Sequence, residues 1–290
     1  MLYAFCTNCA YGAGPSAGLI QATDGNLYGT TSSNGGSVFK LTLGSSTTSP
    51  AINQTAGIVS GASFQPGIAS GSWITITGTN LSPVTDTWAN AITNGNLPTS
   101  LDGVSVSIGG QPAYVAYVSP TQINAVAPNI SSGTVSVTVT TPSGTSSAIT
   151  ATAQPVQPAF FQWPGNYAVA TRQDYSLAVK NGTFPSLTTT PAKPGDVIIL
   201  WGTGFGPTSP PAPEGEVVPS STTYNSANPV TVTVGTVSAT VYGAALAPGY
   251  AGLYQIAIQI PPSMSNGDYA VIATVLSGQS PSTTLIAVQQ

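Results

Sequence analysis

The chain has 290 residues, enough for two domains and a sizeable core, yet only four are Lys or Arg and eight are Asp or Glu, a net charge of −4. Charged residues are 4% of the total against roughly 25% in an ordinary soluble domain, so no basic stripe exists for a phosphate backbone and nucleic acid is excluded as a partner. Histidine is absent, which removes Ser-His-Asp and Cys-His catalysis together with the commonest metal and haem ligand.

The N-terminus, MLYAFCTNCAYGAG, has neither a basic leader region nor a long apolar one, so the expectation is a signal peptide left off or a longer precursor around Met1. Cys6 and Cys9 are the only cysteines. Their C-x-x-C spacing lacks the βαβ context of a redox motif and the following His of a haem site, since Ala10 stands there. A small local disulfide or a free pair is the expected reading, with zinc shared between two chains as the lesser alternative. Next, "GNLYGTTSSNGGSVFKLTL" (25–43) predicts two short strands joined by a Gly/Asn/Ser turn. No stretch approaches the roughly 18–20 consecutive apolar residues of a membrane helix, so no membrane span is expected.

From residue 57 onward the pattern is strands and turns. "VSVSI" (104–108), "TVSVTVT" (134–140) and "VTVTV" (230–234) alternate Val or Ile with Ser or Thr, the period of a half-buried strand. "VIILW" (197–201) and "YQIAIQI" (254–260) are more continuously apolar and predict central strands. Thirty-two glycines and twenty-five prolines fall mainly between these runs, and no helical stretch exceeds one or two turns. The prediction is an all-β chain of β-sandwiches.

With histidine missing, catalysis would fall to carboxylates, Lys and Tyr. Glu214 and Glu216 stand two apart in one Pro-rich loop, an arrangement ill suited to two acids flanking a glycosidic bond. Ser37-Val38-Phe39-Lys40 fits S-x-x-K but lies in a predicted strand rather than on a helix. GTGFG (202–206) is followed by PTSPPAP, so no helix N-terminus follows to hold a phosphate, and Asp24-Gly25-Asn26 lacks the later acidic ligands of a calcium loop. Sequons begin at Asn53, Asn80, Asn129 and Asn181, as chance provides in a chain rich in Asn, Ser and Thr. No catalytic, cofactor or metal residue is assigned, and no enzyme is expected.

The second part of the chain is duplicated. "GSWITITGTNLSP" (71–83) aligns with "GDVIILWGTGFGP" (195–207), 104–128 with 230–261 apart from an insertion near Ala245–Ala251, and 131–147 with 265–281. The predicted organisation is a β segment at 1–44, a Ser/Thr linker at 45–56 and Ig-like sandwiches at 57–156 and 157–290. The aromatic residues of "QPVQPAFFQWP" (154–164) are expected to pack between the two halves, and Trp73, Trp88, Trp163 and Trp201 to serve core or interdomain packing.

Residues about 52–290 resemble the uncharacterised C-terminal domain of the Solibacter type, through "GASFQPGIASGSWITITGTNL", "LPTSLDGVSVSIGGQPAYVAYVSPTQINAVAP", "PAKPGDVIILWGTGFGP" and "LAPGYAGLYQIAIQIPPSMSNGDY". Each copy also resembles an IPT/TIG Ig-like module. The resemblance implies an Ig-like fold outside the cell and carries no catalytic residues. Residues about 2–43, "LYAF…GAGPSAGLIQATDGNLYGTTSSNGGSVFKLTL", resemble one GloVer-type repeat, a unit that occurs in tandem as propeller-like blades. A single repeat cannot bury its apolar face without neighbours. Leu2, Tyr3, Phe5, Leu19, Ile20, Leu27, Tyr28, Val38, Phe39 and Leu41 therefore form the candidate subunit interface. The expectation is a non-catalytic, secreted structural protein that assembles head to tail into a surface filament through N-terminal β-strand augmentation. The alternative is an adhesive or carbohydrate-binding tail module, with cell-surface polysaccharide as its partner.

Overall fold

The computed structural model describes residues 17–23, 26–32, 36–41 and 48–290. Cys6, Cys9, Leu2, Tyr3, Phe5, Asp24 and Gly25 lie outside them. The chain is all-β and divides into two compact units, Met1–Thr48 and Ser49–Gln290. Among the described residues helical structure is confined to the 3-10 turns Trp88–Asn90 and Pro164–Asn166, and no helix is long and apolar enough to cross a membrane.

The first unit is a three-stranded antiparallel sheet of Ile20–Gln21, Leu27–Thr31 and Ser37–Leu41. Gly29 lies opposite Phe39, and the side chains of Phe39 and Leu19 close over it. The other face carries Tyr28 opposite Lys40, whose ammonium sits 5.6 Å from the ring centre, and Val38 opposite Thr30.

The second unit holds two Ig-like β-sandwiches. In the first, Trp73–Thr79 lies between Gln122–Val126 and the short strands Ala51–Ile52 and Ile58–Ser60; Tyr114–Val118 extends this layer. The facing layer is built on Val104–Ile108, Gly133–Thr141 and Ile149–Gln154. Strict alternation in Val104–Ile108 sends three β-branched side chains inward and two serines outward, as a pleated strand demands. The core between the layers includes fully buried Ile74, Ile76, Ile108 and Ile123, each side chain contributing about 1.5–3 kcal/mol by leaving water. Ala51–Ile52, within the segment read as linker, is a strand: a Cβ on Gly78 would stand 2.0 Å from the Ala51 carbonyl oxygen, so glycine is what permits this pairing.

The second sandwich repeats the plan. Val197–Thr203 pairs with Tyr254–Gln259, as Trp73–Thr79 does with Gln122–Val126. Even the register irregularity recurs, at Val115/Tyr117 in one and Val241/Gly243 in the other. Here, however, the strand Val237–Leu246 pairs with Val230–Val234 over its first part and with Tyr254–Gln259 over the rest, joining both layers into one continuous sheet.

The linker aromatics depart from expectation. Phe160 is fully buried in the core of the second sandwich, 5.9 Å from the Phe205 ring, and Trp163 packs edge-on against Phe184 at 5.3 Å. Pairing of Ala159–Phe160 with Gly202 and Thr203 draws this segment into the second sandwich instead of leaving it between the two.

Candidate ligand-binding cleft

What joins the sandwiches is a set of loops from the second seated on the outer face of the first. Trp73, Val126 and Tyr114 stand side by side on that face, set there by strand register. With Trp88, 5.4 Å from Trp73 and edge-on, they pack against Ala251 and Val217 of the second sandwich. Two further links are polar and partly buried. The Trp73 amide donates to Thr203 Oγ1 (2.9 Å), and that hydroxyl donates to the Gly252 carbonyl (2.8 Å). Trp73 Nε1 donates to the Ala251 carbonyl at 2.7 Å. Gly252 sits at φ +60°, and a Cβ there would meet the Gly71 carbonyl oxygen at 2.6 Å, so the approach requires glycine.

The Pro-rich loop after Val197–Thr203 then crosses to the first sandwich. The Leu97 amide donates to the Gly215 carbonyl and the Val217 amide to the Gly95 carbonyl, both at 2.8 Å, closing a bridge between Asn96 and Glu216. Glu214 accepts from the Asn129 backbone amide at 2.8 Å through Oε1 and from Asn129 Nδ2 through Oε2. Between this loop and the first sandwich lies a cavity of about 500 Å³, whose walls include Tyr114, Pro211, Pro213, Asn129, Glu214 and Glu216. Burial, reinforced by the charge of Glu214, pushes the Tyr114 phenol above its ordinary value, so it remains a neutral hydrogen-bonding ring. Tyr254, also in the wall, has its hydroxyl raised by burial and donates to the Gly206 carbonyl at 2.5 Å. The chain's four cations are Lys40, Arg172, Lys180 and Lys193, and none lines the cavity.

The structure thus brings together residues that spacing alone kept apart from any site. Glu214 and Glu216 face the same cavity from one loop, and Glu214 is held by Asn129, the residue of the third sequon. Of the candidate interface residues, Leu19, Ile20 and Val38 are exposed, Ile20 by 73% and Val38 by 76%, whereas Leu27, Tyr28, Phe39 and Leu41 are half-buried. Ser37 to Lys40 lie in a strand of this sheet, where S-x-x-K has no helix to act from. Trp201 faces outward from its strand, its Nε1 donating to Thr171 Oγ1 at 2.9 Å. Tyr114 carried no signal in the sequence and Asn129 stood out only as a sequon; the Tyr114/Val126/Trp73 row becomes visible only once strand register is known.

Among solved structures, the chain is similar to the surface glycan-binding protein PbSGBP-B from Prevotella bryantii, at 14% identity and TM-score 0.23, covering 80% of this chain and 40% of that one. It is also similar to the SGBP-B of the Bacteroides ovatus mixed-linkage glucan utilization locus, solved with a mixed-linkage heptasaccharide, at 11% identity and TM-score 0.33, covering 91% of this chain and 52% of the other. A third likeness is to domains 4–9 of the surface layer protein SbsC, at 11% identity and TM-score 0.27, covering 94% and 37%. The chain therefore spans about half or less of the length of these proteins. No curated protein matches the sequence. An IPT/TIG domain is found at residues 61–153, the segment that folds as the first sandwich.

Proposed function

We propose that the chain is a non-catalytic, extracellular glycan-binding module whose inter-sandwich cleft receives a neutral polysaccharide segment. One observation carries this reading: the cleft combines the Tyr114 ring and proline walls with the carboxylates of Glu214 and Glu216 and has no cation. Sugar C–H faces pack on apolar walls, hydroxyls donate to carboxylates, and an anionic ligand would meet like charge. Glu214 is engaged through both oxygens, which makes it a positioned acceptor rather than a free acid. Affinity electrophoresis in gels containing mixed-linkage β-glucan, xyloglucan or galactomannan tests the reading. At least one polymer is expected to retard the protein, and Glu216→Ala should weaken that binding about tenfold, the loss of one charged hydrogen bond. Unretarded migration in all three gels overturns it. Residues 52–290 are read, within the same proposal, as a Solibacter-type C-terminal domain and residues 2–43 as one GloVer-type repeat.

A second reading, self-assembly into a filament, is favoured by the exposure of Ile20 and Val38 on the small N-terminal sheet. It predicts that scattering mass rises with concentration and that negative-stain images contain fibres. Replacing both residues by Ser should abolish both effects, and a constant monomer mass for the unaltered chain rejects the reading.

A further inference from the structure

We propose a second, independent ligand site on the second sandwich, built by a segment that the first sandwich lacks and suited to a pyranose bearing a carboxylate, a hexuronic acid residue. The duplicated frame locates it. Ile58–Ser60 pairs with Trp73–Thr79 as Ala170–Thr171 pairs with Val197–Thr203. The turn before each long strand is also the same: Ser72 Oγ accepts from the Ala69 amide at 3.1 Å, and Asp196 Oδ2 from the Lys193 amide at 3.0 Å. Between these shared points the first sandwich has residues 61–67 and the second the much longer 173–191.

The added segment is firmly held. Arg172, standing where the first sandwich has Ser60, donates to the carbonyls of Leu177 (3.1 Å), Thr190 (3.3 Å) and Pro191 (2.7 Å) and pairs with Asp196 at 3.5 Å. Thr189 bonds to the Lys180 carbonyl and to Asn181, and Phe184 abuts Trp163. The result is an open cavity of about 680 Å³ whose walls include Tyr175, Leu187, Thr188, Thr190 and Lys193, within the roughly 300–1,000 Å³ of small-ligand sites. Tyr175 is 73% exposed at φ +63°, a left-handed conformation unfavourable for a bulky side chain. Asp174 Oδ1 secures the turn by accepting from the Ser176 amide (3.0 Å) and hydroxyl (2.6 Å). Phe64 occupies the matching loop of the first sandwich, also left-handed at φ +55° and 61% exposed. Both loops display an aromatic ring to solvent, and the second sets a cavity beside it.

The ligand class follows from the lining. Tyr175 offers a ring face for sugar C–H groups, and Thr188 and Thr190 offer hydroxyls. The Arg172 charge is balanced by Asp196, whereas the Lys193 ammonium is exposed and has no ion-pair or hydrogen-bond partner among the described residues. With Asp196 paired to Arg172 and the Asp174 carboxylate held by the Ser176 amide and hydroxyl, Lys193 is the unpaired cation of the lining, and beside an aromatic face it favours a sugar with one negative charge.

Affinity electrophoresis of the full chain in de-esterified polygalacturonate, with fully methyl-esterified polygalacturonan as the uncharged control, tests this site. De-esterified polymer should bind more tightly, with an advantage that shrinks as salt rises. Tyr175→Ala and Lys193→Ala should each weaken binding about tenfold, while Glu216→Ala leaves it unchanged. Equal binding of the two polymers by the Glu216→Ala chain, in which the neutral-glycan cleft is weakened, no binding of the de-esterified one, or variants at positions 175 and 193 that bind it as the parent does would each overturn the proposal. The β-glucan arm with Glu216→Ala reads the cleft separately, so failure of one site is distinguishable from failure of the other.

Discussion

Phe205→Ala should lower the stability of the second sandwich by about 3–5 kcal/mol, the usual cost of emptying a fully buried aromatic position. The ring is wholly inaccessible and lies 5.9 Å from Phe160 and 5.4 Å from Tyr254, both tilted relative to it. Its removal forfeits the transferred surface, two aromatic contacts of about 0.5–1.5 kcal/mol each, and the volume that Phe160 and Tyr254 are packed to fill. Because Tyr254 lines the cleft and bonds to Gly206, the loosening would reach the cleft wall. Urea unfolding should show the midpoint falling with little change in slope. A loss under about 1 kcal/mol would mean that the site collapses around the gap and that the three rings do not act as a unit.

Thr203→Val should separate the two sandwiches. Valine conserves the volume of this fully buried residue but deletes the oxygen that accepts from the Trp73 amide and donates to the Gly252 carbonyl. Leaving a part-buried donor and a part-buried acceptor without partners costs about 1–3 kcal/mol each, roughly 2–6 kcal/mol together. The loss falls on the junction rather than on either core, so a single calorimetric transition is expected to broaden or split. Glycan affinity of the cleft should fall with it. Thr203→Ser retains the hydroxyl and should recover most of the parent's behaviour. A valine variant that melts in one unshifted transition would place the coupling in the Trp73–Trp88 cluster instead.

The strands were legible because their physics is local. Val104–Ile108 and Val230–Val234 fall where β-branched alternation put them, and the duplication read from 71–83 and 195–207 reappears as matching register. The cleft was not legible, because its parts come from segments far apart in sequence. Asn129 and Glu214 are 85 residues apart, and no local pattern announces that one will bond the other. Phe160 misled for a related reason: a short proline-flanked aromatic segment has no period to reveal which face it turns inward, and its pairing with Gly202 decides that. Residues 173–191 carried no strand pattern either, since their shape depends on carbonyls gathered around one guanidinium.

The continuity of Val237–Leu246 across both layers gives the two sandwiches unequal mechanical character. In the first, the layers belong to separate sheets: Gln111–Pro112 and the Ala113 amide, which donates to the Val106 carbonyl at 2.9 Å, stay with one layer, and pairing with the other begins at Tyr114, so the crossing is interrupted rather than continuous. In the second, a backbone strand stitches layer to layer, and sliding would have to break its ladder near Ala239 and Thr240. Tension drawn along the polypeptide would then be absorbed first by the amino-proximal sandwich, with the other acting as the stiff end of the pair.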